Sequence, residues 1–237
     1  MKRKILNLLL LIFSLQPVIW SQANSETKAL EILENFIDVT GGRTKLEKVE
    51  DETINFVSPP GTPMIKLTII RKYPNKYFQL LVMEGFSQQV VFDGEKGKTV
   101  QFGQEMFFDE AENNRMREQN MTHLLLDTKI LGIKAEYTGD ETINGVQCNV
   151  VKMDLHHDVE WTLYFDKDTH YMIRQIIPIF TDSGKYDQTV DFYDYRDFDG
   201  YVYASRLKQI MGPQTVELLI DSVKVNSGVD DSIFELN

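Results

Sequence analysis

The chain has 237 residues, a formal net charge of −11 and a single cysteine, Cys148. So acidic a surface repels phosphate backbones and anionic lipid, so nucleic acid is not expected as a partner and spontaneous adhesion to an anionic membrane is disfavoured. One cysteine excludes an intramolecular disulfide, and a chain of this length buries an adequate core without one, so we predict that Cys148 is a small buried core residue rather than a reactive thiol.

Residues 1–23 have the pattern of a secretory signal peptide. Three basic residues at 2–4 precede an uncharged apolar run from Ile5 to Trp20, and Ser21 and Ala23 supply the small residues that a signal peptidase reads. Pro17 is expected to break any helix in this run. The alternative is an uncleaved anchor, but the unbroken apolar run is shorter than the roughly 20 residues that span a bilayer. We therefore predict cleavage after Ala23, leaving 24–237 as one domain with no stable membrane anchor.

The mature chain is predicted to open with a helix. Ser25 is a candidate N-cap, and one apolar face recurs at helical spacing, formed by Ala29, Leu33, Phe36 and Ile37. Gly41 and Gly42 are expected to end the helix, because glycine adopts the left-handed conformation common at helix C-termini. A second short helical turn is predicted at 45–49.

From residue 53 the apolar period changes to two, which is typical of β-strands. The predicted strands are residues 53–57, 64–71, 76–84, 88–92, 98–102, 134–137, 146–154, 160–166, 172–180, 188–195, 201–210 and 215–225. Turn signals at short intervals, such as Asp93-Gly94 and Asn144-Gly145, indicate a meander of neighbouring antiparallel strands. A twisted sheet with this many strands has to curl or close, and helices against one face would then enclose a cavity.

Residues 103–127 interrupt the strand pattern. They are rich in methionine, phenylalanine and leucine and poor in β-branched residues, which favours a helix starting near Asp109. Asp109 and Glu110 suit a helix N-terminus, where the helix dipole favours negative charge. Two interpretations stay open for this segment: a packing helix, or a lid over the sheet.

Four runs, in their order and spacing, resemble one family. They are Ile37–Gly42 followed by Lys45-Leu46, then Tyr164–Thr169 followed by Met172-Ile173-Arg174, then Tyr193–Arg196 with Asp199-Gly200, and finally Val225-Asn226 with Asp230–Phe234. Together they are similar to motifs of the LolA-like outer-membrane lipoprotein-sorting proteins, a superfamily that includes LolA, LolB and RseB-like members. The resemblance covers nearly all of the mature chain.

The resemblance implies a mainly β fold with a few α-helices: a half-open, incomplete antiparallel β-barrel whose concave face the helices cover. It also implies a periplasmic carrier or chaperone that binds acyl chains of lipoproteins or lipids in an apolar cavity and takes part in outer-membrane lipoprotein sorting. LolB-type receptors are lipoproteins, and no cysteine lies near the predicted cleavage site, which argues against the receptor role. The cavity arginine of the carriers is not assigned to a position here. Because superfamily members also act as envelope sensors, the alternative is a sensor or protein-interaction module without cargo.

The candidate ligand-binding residues are apolar side chains that alternate with polar neighbours on several strands. We expect an inward-facing set of Ile65, Leu67, Ile69, Phe78, Leu80, Val82, Phe92, Trp161, Leu163 and Phe165. Their partners would be acyl chains or lipid, with envelope proteins as the alternative, and we expect a monomer.

No catalytic or metal-binding residues are predicted. His156 and His157 would point to opposite faces of a strand, and a zinc site needs three or four ligands, so a polar loop is the favoured interpretation. No G-x-S-x-G elbow or H-E-x-x-H pattern occurs, and the carboxylates cluster in turns. We therefore expect no enzymatic activity and no cofactor, with a metal hydrolase a distant third possibility after carrier and interaction module.

Overall fold

A computed structural model describes residues 16–119, 123–181 and 184–236, with side chains from Asn24 onward. Residues 1–15 of the predicted signal peptide (residues 1–23) therefore lie outside the described residues. Helix α1 spans Gln16–Val39, α2 spans Arg43–Leu46 and α3 spans Glu110–Gln119, and a 3-10 turn spans Asp231–Phe234. Within the described chain no helix is long and apolar enough to cross a membrane.

Thirteen strands of the described residues form one antiparallel sheet. They are β1 Asp51–Val57, β2 Ile65–Lys72, β3 Lys76–Met83, β4 Phe86–Phe92, β5 Gly97–Gln101, β6 Gln104–Phe107, β7 Lys134–Ile143, β8 Val146–Asp154, β9 Glu160–Asp166, β10 Met172–Thr181, β11 Gly184–Phe198, β12 Tyr201–Met211 and β13 Gln214–Val225.

The sheet is a double meander that stays open. Its strand order is β6-β5-β4-β3-β2-β1-β13-β12-β11-β10-β9-β8-β7, so every neighbour is adjacent in sequence except the pair β1 and β13. The two free edges, β6 and β7, follow one another in the chain and are joined by residues 108–133. The prediction of a mainly β, incomplete barrel with helices is confirmed.

Helix α1 packs on the β7–β8 half of the sheet, and we call the face it covers the inner face. Its buried residues Ala29, Ile32 and Leu33 meet a core that includes Val151 and Leu163 of β8 and β9. Burial of such side chains contributes about 1.5–3 kcal/mol each. This apolar packing fixes α1 over the β7–β8 half of the inner face rather than over the β1–β3 half.

One feature of α1 corrects the sequence interpretation. Ser25 is not its N-cap, because the helix already includes the nine residues before it. The predicted helix break at Pro17 lies at the edge of the described residues and stays a prediction. The Ser25 hydroxyl instead donates a hydrogen bond to the Tyr137 carbonyl oxygen of β7 (2.7 Å), which fixes the helix to the sheet edge. Cleavage after Ala23 would shorten α1 and leave its buried residues Ala29, Ile32 and Leu33 in the chain.

Strand β6 was not predicted. Residues 104–107 were assigned to the helical interruption, but they form a hairpin with β5 through Phe102 and Gly103, both of which have positive φ (52° and 73°). All four residues of β6 are exposed, so no buried alternation marked them as a strand. The helix predicted from Asp109 is confirmed as α3.

Candidate functional site

The inner face carries a broad apolar surface across β1, β2 and β13. Cross-strand pairs place Ile54 opposite Ile69 and Phe56 opposite Leu67, so these side chains share one face. We call this surface the inner wall; it consists of buried Ile54, Phe56, Leu67 and Leu218 and the partly buried Ile65, Ile69, Leu81, Leu207, Val216, Ile220 and Val223. Most of its members keep some exposure, so the wall is an incompletely covered apolar surface.

A cavity of about 340 Å³ lies between the inner face, the end of α1 and the segment that follows α3. This volume falls within the roughly 300–1,000 Å³ of typical ligand pockets. The lining is predominantly apolar and comprises Phe36, Ile37, Thr40, Leu46, Val49, Glu52, Arg71, Gln119, His123, Leu124, Leu125, Leu126, Trp161, Leu163, Met172, Gln175, Val202 and Tyr203.

One end of this cavity is polar. Arg71 Nη1 donates to Glu52 Oε1 (2.7 Å), and the Tyr203 hydroxyl donates to the second carboxylate oxygen of Glu52 (3.0 Å). Burial disfavours the charged form of Arg71, but Glu52 together with Tyr77 and Tyr203 favours it, and the pKa of Arg71 is raised. Burial, reinforced by Glu52, also raises the pKa of the Tyr203 phenol. Arg71 and Glu52 thus form an ion pair that is held against the apolar lining.

The segment between the two sheet edges closes part of the inner face. It starts at Phe108, whose backbone N–H donates to Gly97 O (2.9 Å) and continues the β5 pairing. Asp109 and Glu112 then form a capping box, each side chain accepting from the other's backbone N–H (2.7 and 2.8 Å). After α3, Leu124 is buried in the α1 core, which anchors the far end of the segment.

Helix α3 itself contributes no buried residue and is held through the ends of long side chains. Arg115 lies over the Phe180 ring (4.3 Å), Arg117 donates to Glu95 O (3.3 Å), and Glu118 Oε1 contacts His157 Nε2 (3.3 Å). These contacts join α3 to the β4–β5 turn on one side of the sheet opening and to β10 and the β8–β9 turn on the other. A helix attached in this way has few apolar contacts to lose on opening, although its role as a lid stays a prediction.

Glu118 makes this attachment sensitive to pH. Burial raises the pKa of Glu118, with His157 opposing the shift. A raised pKa means that the folded state holds the proton more tightly, so stability falls as pH rises through the folded pKa. We expect Glu118→Gln to raise the urea midpoint at neutral pH, with the gain lost below about pH 4. The exposed Glu110 of the same helix serves as control, and an equal gain at both pH values would contradict a charge effect.

The structure brings only some of the predicted ligand residues to the cavity. Trp161 and Leu163 line it, and Phe165 packs against the Phe36 ring of α1 (centroids 5.4 Å apart). Ile65, Leu67 and Ile69 belong to the inner wall. Phe92 is fully buried in β4, opposite Tyr77 of β3.

The prediction that all ten residues share one face is wrong for three of them. Leu67 pairs with Leu81, so the alternation of β3 places Phe78, Leu80 and Val82 on the outer face. The sequence KYFQLLVM is apolar on both sides of the strand, because the C-terminal 3-10 turn covers part of the outer face at β3 and β4. Whether any of the ten residues binds ligand stays a prediction.

The polar end of the cavity was missed. Arg71 continues the alternation of Ile65, Leu67 and Ile69, which is the sequence signal that placed a charged side chain on the apolar face. Its pairing with Glu52 depends on the β1–β2 register, which the sequence left undetermined.

The histidine pair lies where the polar-loop interpretation placed it. His156 and His157 occupy the turn between β8 and β9, each with positive φ (69° and 44°). Within the described ranges no group of three or more His, Cys, Asp or Glu side chains is arranged to hold a metal ion. Cys148 is fully buried, as predicted.

Comparison with known proteins finds solved structures with a similar fold. No protein-family model and no curated protein matches the sequence. A DUF1329 family protein from Desulfovibrio piger is similar in structure with a TM-score of 0.57, 10% identity and coverage of 90% of this chain and 98% of that one. A proposed outer-membrane lipoprotein-sorting protein domain from Vibrio parahaemolyticus has a TM-score of 0.53, 13% identity and coverages of 89% and 97%. A LolA superfamily protein from Nitrosomonas europaea has a TM-score of 0.52, 12% identity and coverages of 87% and 97%.

Proposed function

We propose that this chain, whose fold is LolA-like, is an exported, non-catalytic carrier that binds the acyl chains of lipids or lipoproteins on its inner face. In this proposal residues 1–23 are removed on export, the protein works in the periplasm, and it takes part in outer-membrane lipoprotein sorting. The similar structures include a proposed lipoprotein-sorting domain and a LolA superfamily protein, and their fold supports this general kind of function.

The observation that carries the proposal is the continuity of apolar surface from the cavity to the inner wall. The cavity lining includes Leu124–Leu126 on the covering segment and Trp161 and Leu163 on the sheet. Beyond it most residues of the inner wall stay partly exposed, because α1 packs on β7 and β8 instead. A long apolar ligand lying along this surface would cover it, which contributes about 25 cal/mol for each Å² removed from water.

The ion pair of Arg71 and Glu52 adds a polar point within this surface. A charge that is partly removed from water is stabilised by an ion pair and a hydrogen bond, and Glu52 provides both to the half-buried Arg71. A cargo with a polar group at one end of an acyl chain fits this arrangement better than a uniformly apolar molecule does.

The test is native mass spectrometry of the protein purified from a periplasmic extract, followed by lipid extraction of any adduct. The polypeptide mass reports directly whether residues 1–23 have been removed. Adducts with acyl-chain masses would support carriage. A bare polypeptide that takes up neither added lipid nor added lipopeptide would contradict it and favour the interaction module.

Filling the cavity should reduce this binding. Leu126 lines the cavity and is partly buried. Leu126→Trp therefore places a larger side chain, an indole ring, in the space that the cargo would occupy. We expect at least about a tenfold loss in affinity for added lipopeptide, since one displaced apolar contact of roughly 1.4 kcal/mol is a factor of ten. The matched control is Ile130→Trp, four residues away and 84% exposed. Equal affinities for the two variants, with both folded, would place the ligand elsewhere.

A further inference from the structure

Large apolar side chains are exposed at one end of the sheet. Met64 is 53% exposed, Phe102 74%, Tyr186 49% and Met211 42%. With the half-buried Phe86, whose ring meets Phe102 edge-on (centroids 5.5 Å apart), we call these five residues the apolar rim. Monomeric proteins seldom group exposed large hydrophobics in this way without a binding role.

The strand register places the rim residues at the same end. In an antiparallel meander successive turns alternate between the two ends of the sheet. The β3–β4 turn beside Met64, the β5–β6 turn at Phe102, the β10–β11 hairpin with Tyr186 and the β12–β13 turn after Met211 all fall at one end. The pairing of Val57 with Leu219 joins the two halves in this orientation.

The two ends differ in the number of charged residues in their turns. Among the described turns at the rim end, the connection at 58–64 and the turns at 102–103 and 212–213 contain no charged residue, and Glu84 and Asp158 are the acidic exceptions. The turns at the other end hold the charged residues Asp93, Glu95, Lys96, Lys167, Asp168 and Asp199. Because a charged group loses hydration at a bilayer interface, docking through the rim end costs less free energy than docking through the opposite end.

The rim is continuous with the inner wall. Ile65 of the wall pairs with Met83, and Met83 pairs in turn with Phe86 of the rim. An apolar path thus leads from the exposed end of the sheet along β2 toward the cavity. A water-soluble partner protein would not require such a path, whereas an acyl chain that leaves a bilayer would.

We propose that the apolar rim docks on the surface of a zwitterionic lipid bilayer, with Phe102 at the tip of the β5–β6 hairpin entering the interface. The inference goes beyond carriage, because contact with a bilayer does not require that the protein takes lipid away. Insertion is driven by apolar burial, so anionic lipid should weaken the association of this acidic chain rather than strengthen it.

The first test is vesicle flotation with phosphatidylcholine vesicles. Phe102→Asn removes the apolar ring and is compatible with the fold, because the resulting Asn-Gly pair favours a turn with positive φ at both positions. We expect its partition coefficient to fall by about tenfold, which corresponds to the loss of one buried aromatic side chain.

The matched control is Phe107→Thr on the same hairpin. Phe107 is 61% exposed, comparable with Phe102, but it lies four residues beyond Gly103, about 13 Å from the turn at roughly 3.3 Å per residue. That distance exceeds the roughly 5–10 Å to which interfacial side chains insert. Partition of Phe107→Thr should stay near that of the parent protein. Both variants share one N-terminus, so binding through residues 5–20 affects them equally.

A second test measures how deeply each position inserts into the bilayer, even if another part of the chain also binds the vesicle. Phe102→Trp and Phe107→Trp are compared by fluorescence quenching with brominated phosphatidylcholine, after subtraction of the parent signal. Strong quenching at 102 and weak quenching at 107 is the expected result. Equal quenching at the two positions, equal loss of partition in the Asn and Thr variants, or no vesicle association at all would overturn the proposal, and the last outcome would assign the rim to a protein partner.

Discussion

Replacing Asp51 by alanine should lower the free energy of unfolding by about 3 kcal/mol, because one buried carboxylate accepts several hydrogen bonds. Asp51 opens β1 and is 4% exposed. One of its oxygens accepts from the backbone N–H and hydroxyl of Ser227 (2.8 and 3.1 Å), and the other accepts from the N–H groups of Gly228 and Val229 (3.0 and 3.3 Å). Alanine leaves all four donors without an acceptor.

This carboxylate holds the C-terminal strap, residues 226–236, against the sheet. Near its end the strap contains Phe234, which is 1% exposed, and Asp231, which forms ion pairs with Lys72 and Lys76. Loss of the Asp51 contacts should therefore release the strap and uncover the outer face of β3 and β4. Urea denaturation measures the total effect, and hydrogen exchange of the Gly228 and Val229 amides reports the local release.

Asp221→Ala is the control for this substitution. Asp221 lies in β13 on the exposed surface, where substitutions usually change stability by less than about 0.5 kcal/mol. If Asp51→Ala cost no more than Asp221→Ala, the strap would be held by Phe234 and the ion pairs alone. An unchanged denaturant slope would show that the two native states bury similar surface.

Most of the strands could be predicted because their local signals agree with their environment. Strands β8 and β9 were predicted at their observed bounds, since each is a run rich in apolar residues that is bounded by turn residues. The pairing of β1 with β13 could not be predicted from local sequence signals. It joins residues about 170 positions apart, and only the burial of a common inner face selects it.

The candidate site was predicted less well than the fold, for two physical reasons. Strand β3 is apolar on both faces, so alternation alone could not show that Leu81 faces inward and Leu80 outward. The cavity also depends on residues outside strands. Leu124–Leu126 line it from a segment of turns, and their placement follows from packing against α1 rather than from any periodicity.

Adding one methyl group at Gly97 should also be strongly destabilising, by about 2 kcal/mol, because the site is already filled. A Cβ on Gly97 would lie 2.4 and 2.5 Å from two ring atoms of Phe108 and 2.9 Å from the Val91 carbonyl oxygen. The ring cannot move away without leaving its place at the start of the segment that bridges the open sheet edges. Gly97→Ala should therefore displace Phe108 and loosen α3 at its N-terminal end.

A double-mutant cycle separates this steric effect from the ordinary cost of a strand substitution. Phe108→Ala removes the ring, so the Gly97→Ala, Phe108→Ala pair should be more stable than the sum of the single effects by about 1 kcal/mol or more. The remaining contact with Val91 keeps the rescue incomplete. Additivity within about 0.5 kcal/mol would show that the ring does not meet the new methyl group. If the ring is displaced, amides of α3 should exchange faster in Gly97→Ala while those of β8 and β9 stay protected, because the bridging segment would open while the β7–β9 half of the sheet keeps its packing against α1.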